Sequence, residues 1–150
     1  MKTLFQPERV SEIKARLAKL QPTSERQWGK MNAPQMLAHT SMGVQMATGE
    51  LKLPRVMIGR VLGPVIKSLA LKDDEPMRKN SPTVPAIVVS DERDLEVERA
   101  KLLKLIDQLV AAGSNKCTTH PHSFFGKLTG EQWGILMYKH LDHHLRQFGV

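Results

Sequence analysis

With a single cysteine, Cys117, this chain of 150 residues has no internal disulfide to close it. Aromatic residues are scarce as well, 5% in all, which leaves poor material for stacking on nucleic-acid bases. There is no uncharged apolar run of the roughly 20 residues that a bilayer demands. The densest stretch, residues 53–71, is interrupted by Arg55, Arg60 and Lys67. The opening MKTLFQPERV lacks the apolar segment and small-residue cleavage site of a secretory signal, so a cytoplasmic location is expected. Acidic residues are outnumbered 15 to 22 by Lys and Arg, for a formal charge of +7. The cations form no block of five or more, which reads as a solvated basic surface rather than a nucleic-acid interface.

What is present is 41% hydrophobic content spread along the whole chain, enough for one domain over residues 1–150. A domain of that size buries roughly 68 to 70% of its unfolded surface. Helical periods dominate, with no internal repeat and no convincing strand. Pro7 opens a first helix with Val10, Ile13, Leu17 and Leu20 on one side, stopping before Pro22. Asn32 and Gln35 spell a capping box for a second, along which Met36, Leu37, His39, Thr40, Gly43 and Met46 share one side until Gly49. This places His39 facing inward.

Residues 53–71 read as a third bundle helix bent at Pro64, with a peripheral amphipathic helix as the alternative. Residues 72–89, with Pro76, Pro82 and Pro85, read as a long loop of the kind that borders functional sites. Ser90 or Asp91 is the expected cap of a fourth helix, whose stripe is Leu95, Leu102, Leu105, Ile106, Leu109 and Val110 before Gly113. After a second loop, residues 114–128, Thr129 and Gln132 form the capping box of the last helix. The expected fold is all-α: a four-helix bundle with a long proline-rich loop and room for one extra short helix.

The last helix holds three of the six histidines, His140, His143 and His144. Side chains four apart lie on one helix face, so His140 and His144 can aim at a common atom. A divalent metal ion bound there needs a third ligand from another element, and His39 is the best candidate. His120 and His122 compete with it, and spacing alone leaves a His140 and His143 pair open. A zinc-protease reading fails because Leu141 stands where the general-base glutamate belongs, and Asp142 points about 200° away from His140. Cys117 reads as an ordinary loop cysteine, Trp28, Trp133 and Phe148 as core anchors, and Arg146 and Gln147 as groups that either support the histidines or face solvent.

His39 together with the run His140-Leu141-Asp142-His143-His144-Leu145-Arg146-Gln147 resembles the DinB-like superfamily of bacterial metal-binding four-helix bundles. Within it, Trp28-Gly29-Lys30-Met31, Gln35-Met36-Leu37-Ala38-His39 and the blocks from His122-Ser123-Phe124-Phe125-Gly126-Lys127 to Gln147-Phe148-Gly149 look like the subgroup known as domain of unknown function 1569. The resemblance implies a metal site of His39, His140 and His144 holding nickel or zinc, with water completing the shell. Some members transfer low-molecular-weight thiols or isomerise thiol conjugates, so it also implies a small thiol-containing or anionic substrate. The long proline-rich loop departs from the better-studied members. The expected activity is Lewis-acid activation of a bound thiol or water, as in an S-transferase or a hydrolase. The competing expectation is a binding or regulatory bundle that holds an anionic partner on Arg55, Arg60, Lys67, Lys72, Arg78 and Lys79. Bundles of this kind also commonly form homodimers through exposed apolar faces.

Overall fold

Two reciprocal capping boxes set the entry of the helices that carry the histidines. Asn32 accepts the Gln35 N–H and Gln35 accepts the Asn32 N–H, both at 3.0 Å. Thr129 and Gln132 do the same at 3.2 and 3.0 Å. The computed structural model describes residues 1–150 and has five α-helices: α1 (Pro7–Leu17), α2 (Ala33–Thr48), α3 (Met57–Ala70), α4 (Leu95–Ala112) and α5 (Gly130–Gln147). Short 3-10 turns occupy Pro85–Ile87 and Ser114–Lys116. There is no sheet, only an isolated pairing of His122 with Gly126.

The bundle consists of α1, α2, α4 and α5. The second helix packs against both α4 and α5, and α1 lies along α5. Ile13 and Leu17, Met36 and Leu37, Leu102 and Ile106, and Trp133 and Leu141 meet in one continuous core, each nearly sealed from solvent. The fourth helix begins later than the sequence suggested. Its cap is Asp94, which accepts the Val97 N–H at 2.9 Å. The carboxylate of Asp91 instead pairs with Arg93 at 3.0 Å. The expected stripe on this helix is otherwise found, with Val110 only partly covered.

The third helix is not a bundle member, which corrects the expectation for residues 53–71. Its buried residues are Gly59 and Gly63 alone, and these rest on the backbone of Phe124. A Cβ at residue 59 would stand 2.7 Å from the Phe124 carbonyl oxygen, so only glycine permits this approach. The apolar side chains of α3 point away from the core into solvent. No helix is long and apolar enough to cross a membrane.

Across the bundle, Asp142 of α5 receives Arg16 of α1 at 2.7 Å and Arg146 at 2.8 Å. Lys139, buried on the same helix, donates to the carbonyls of Ala70 at 2.7 Å and Asp73 at 3.0 Å. These bonds fix the start of the proline-rich loop against α5. The loop then runs back to α2.

Candidate metal centre

The inward stripe of α2 carries His39 into the core, where it is 2% exposed. Its Nδ1 lies 2.8 Å from the Ile87 carbonyl oxygen in the proline-rich loop. A carbonyl only accepts, so Nδ1 bears the proton and Nε2 keeps a free lone pair. On α5, the Nδ1 of His144 lies 2.8 Å from Gln147 Oε1. The Gln147 amide orientation is set from its other end, since Nε2 donates to the Trp28 carbonyl at 2.6 Å. His144 therefore donates from Nδ1 and likewise keeps Nε2 free.

His140 completes the group. Its Nε2 is 3.0 Å from Nε2 of His39, so the two nitrogens face one another. The ring centroids are 4.9 Å apart for His39 and His140, and 4.8 Å for each of the other two pairs. One nitrogen from each ring falls within 4.8 Å of the others. An ion with tetrahedral Zn–N bonds of about 2.0 to 2.1 Å places its nitrogens about 3.4 Å apart, which small ring rotations would reach. Gly43 leaves room for the His140 ring, since a Cβ there would meet its Nδ1 at 3.0 Å, tighter than ordinary contact.

Burial governs the protonation of these rings. It pushes His144 down to about 3, with the neighbouring His39 adding to the effect. Burial likewise holds His39 below, and His140 well below, the ordinary imidazole value. All three are neutral near pH 7, the state in which imidazole binds a metal. The donor set therefore fits a divalent ion: three neutral imidazoles, two pinned through Nδ1 by acceptors that orient them.

The remaining histidines lie elsewhere. His120 donates from Nε2 to the Leu53 carbonyl at 3.2 Å. His122 uses Nδ1 to accept the N–H groups of Phe124 and Phe125 at 3.0 and 3.2 Å. His143 packs on His144 with centroids 5.1 Å apart but donates from Nδ1 to the Met77 carbonyl at 3.3 Å, outside the triad. Asp142, engaged by the two arginines, also stays outside, as its position on the helix implies. Burial raises the pKa of Cys117, the opposite of what a reactive thiolate needs.

His143 forms one wall of a cleft of about 470 Å³ lined also by Gln27, Trp28, Pro76, Met77, Lys79, Arg146, Gly149 and Val150. Trp28 is thus no core anchor but a half-buried wall, with Lys79 Nζ 4.5 Å from its ring centroid. Trp133 and Phe148 are buried, as expected. Of the two groups flanking the histidines, Gln147 supports His144 while Arg146 is exposed and pairs with Asp142. The carbonyls of Ile87 and Met77 carry no sequence signal, being backbone. Gly43 does carry one, because a glycine inside a helix is costly unless a close approach requires it.

Fold and site together define a helical-bundle protein in which three histidines from two helices can hold one metal ion. A sequence model of a protein family, described as protein of unknown function (DUF1569), matches residues 5–149, and the chain belongs to that family. Neither the curated proteins nor the solved structures contain a match to it.

Proposed function

We propose that this protein is a divalent-metal-dependent enzyme of the DinB-like superfamily, with His39, His140 and His144 as the ligands and nickel or zinc as the ion. The observation that carries the reading is the convergence of the three rings, two of them with Nε2 freed by a pinned Nδ1. A site of this donor set is expensive to bury for packing alone, since His39 and His144 are sealed from solvent and His140 is partly covered.

Bound there, a divalent ion supplies Lewis acidity that lowers the pKa of a thiol or a water in its open position, the activation an S-transferase or a hydrolase needs. The residues around it supply the rest. Ile87 and Gln147 hold His39 and His144 in one tautomer and one orientation. The cleft beside His143 receives the substrate, Lys79 and Arg146 drawing in its anionic end and Trp28 and Met77 covering its apolar part. His143, with its proton held on Nδ1 by Met77, keeps Nε2 as the proton acceptor for a substrate in that cleft.

The test is elemental analysis of untagged protein beside a His140→Ala, His144→Ala double variant and a His143→Ala control. Near-stoichiometric nickel or zinc in the wild type and in the control, and its loss in the double variant, is the expected result. If the wild type takes up no metal after reloading with each ion at neutral pH, the proposal fails.

A further inference from the structure

Seven of the ten large apolar side chains that the molecule leaves exposed lie on α3. Met57, Ile58, Val61 and Val65 are each more than 60% exposed. At 100° per residue the apolar positions from Met57 to Leu69 sweep about half the helix circumference, and Gly59 and Gly63 fall on the other side, seated on Phe124. The helix is held to the body through backbone: Arg55 donates to the Gly59 carbonyl at 2.9 Å and Lys67 to the Lys127 carbonyl at 3.1 Å. This arrangement turns the apolar arc outward. A monomeric soluble surface rarely carries so continuous an apolar patch without a partner.

Charge indicates which partner. Between Glu50 and Asp73 the chain has no acidic residue, while Lys52, Arg55, Arg60, Lys67 and Lys72 lie there. Two copies meeting through this face would bring cationic segments together with no acidic residue on either segment to offset them. An anionic bilayer supplies both the apolar layer and the countercharge. The helix has 14 residues, about 21 Å, too short to span the hydrocarbon core and suited to lying in its plane.

We propose that α3 is a peripheral membrane-docking helix, which inserts its apolar arc into the headgroup layer of an anionic phospholipid bilayer while the exposed Lys52, Arg60 and Lys72 contact lipid phosphates. The proposal is independent of the metal site. The full chain would be sedimented with vesicles of phosphatidylcholine containing about 30% phosphatidylglycerol and with vesicles of phosphatidylcholine alone. A Val61→Glu, Val65→Glu double variant, both positions being exposed, and an Arg60→Glu variant would be run beside it, with circular dichroism to verify the fold. The wild type is expected to bind the anionic vesicles and to bind less at high salt. Partitioning should fall about tenfold or more in the double variant and measurably in Arg60→Glu. Lack of binding to anionic vesicles, or binding that neither variant weakens, overturns the proposal. So does a dimer in sedimentation velocity that the double variant dissolves while vesicles capture nothing, because a second copy would then be the occupant of the face.

Discussion

Gly43 of α2 faces His140 of α5 so closely that a Cβ on residue 43 would stand 3.0 Å from the His140 Nδ1 and 3.1 Å from its Cε1. A side chain at this position would make the His140 ring give way by a few tenths of an ångström. Gly43→Ala should therefore act in two opposing ways. Helix propensity favours the metal-free fold by up to about 1 kcal/mol, while the His140 ring is displaced from its neighbours. The expected outcome is unfolding stability within about 1 kcal/mol of wild type together with clearly weakened metal affinity. Urea denaturation of the chelator-treated protein and a competitive chelator titration measure the two effects separately.

Gln147 links His144 to the Trp28 carbonyl and is itself 3% exposed. Gln147→Ala removes the acceptor that orients His144 and leaves the Trp28 carbonyl without its donor. Metal affinity should fall about 10- to 100-fold. Stability should fall by about 1 to 3 kcal/mol for the stranded polar groups. Retention of full metal affinity in a folded Gln147→Ala protein would rule out this orienting role.

Acid should destabilise the metal-free protein. Burial holds His144 at about 3 and His122 at about 4, against an ordinary value of 6.5. Below the ordinary value the unfolded chain binds protons that the folded chain refuses. Stability is thus complete above it and is lost as pH falls toward the folded values, by about 1.4 kcal/mol per pH unit for each of these two rings. Urea midpoints measured on chelator-treated protein should drop steeply below about pH 6, and His144→Gln should make the drop shallower. A midpoint that stays level down to about pH 5 would contradict the burial of these rings as neutral groups.

Asp142 is 7% exposed and takes both Arg16 and Arg146. Asp142→Ala removes the nearer of the two carboxylates on Arg16, which keeps Glu12 at 3.3 Å and the Val150 carbonyl at 3.0 Å, and should cost about 1.5 to 3 kcal/mol for the lost charged hydrogen bond. Arg146→Ala removes the exposed partner and should cost less than about 1 kcal/mol. Thermal unfolding of the two variants side by side tests the asymmetry, and equal losses would refute it.

What depends on neighbours along the chain was legible before folding. Two capping boxes, Gly49 and the apolar stripes located α2 and α5, and a four-residue spacing placed His140 and His144 on one face. His39 was legible as an inward residue because it shares its side of α2 with Met36 and Gly43. The register of those stripes is a property of the helix, so it could be read before folding. Only tertiary structure decided which helices form the bundle. The apolar density of residues 53–71 is that of a core helix, but Gly59 and Gly63 let α3 settle on the Phe124 backbone outside the bundle, its apolar face unused. The cap of α4 is Asp94, with Asp91 paired to Arg93 instead, and Trp28 lines a cleft with Lys79 over its ring. The carbonyls of Ile87 and Met77 that orient His39 and His143 come from a loop distant in sequence. Backbone oxygens are alike at every position, so no local pattern marks them, and only the path of the folded chain brings them to the histidines.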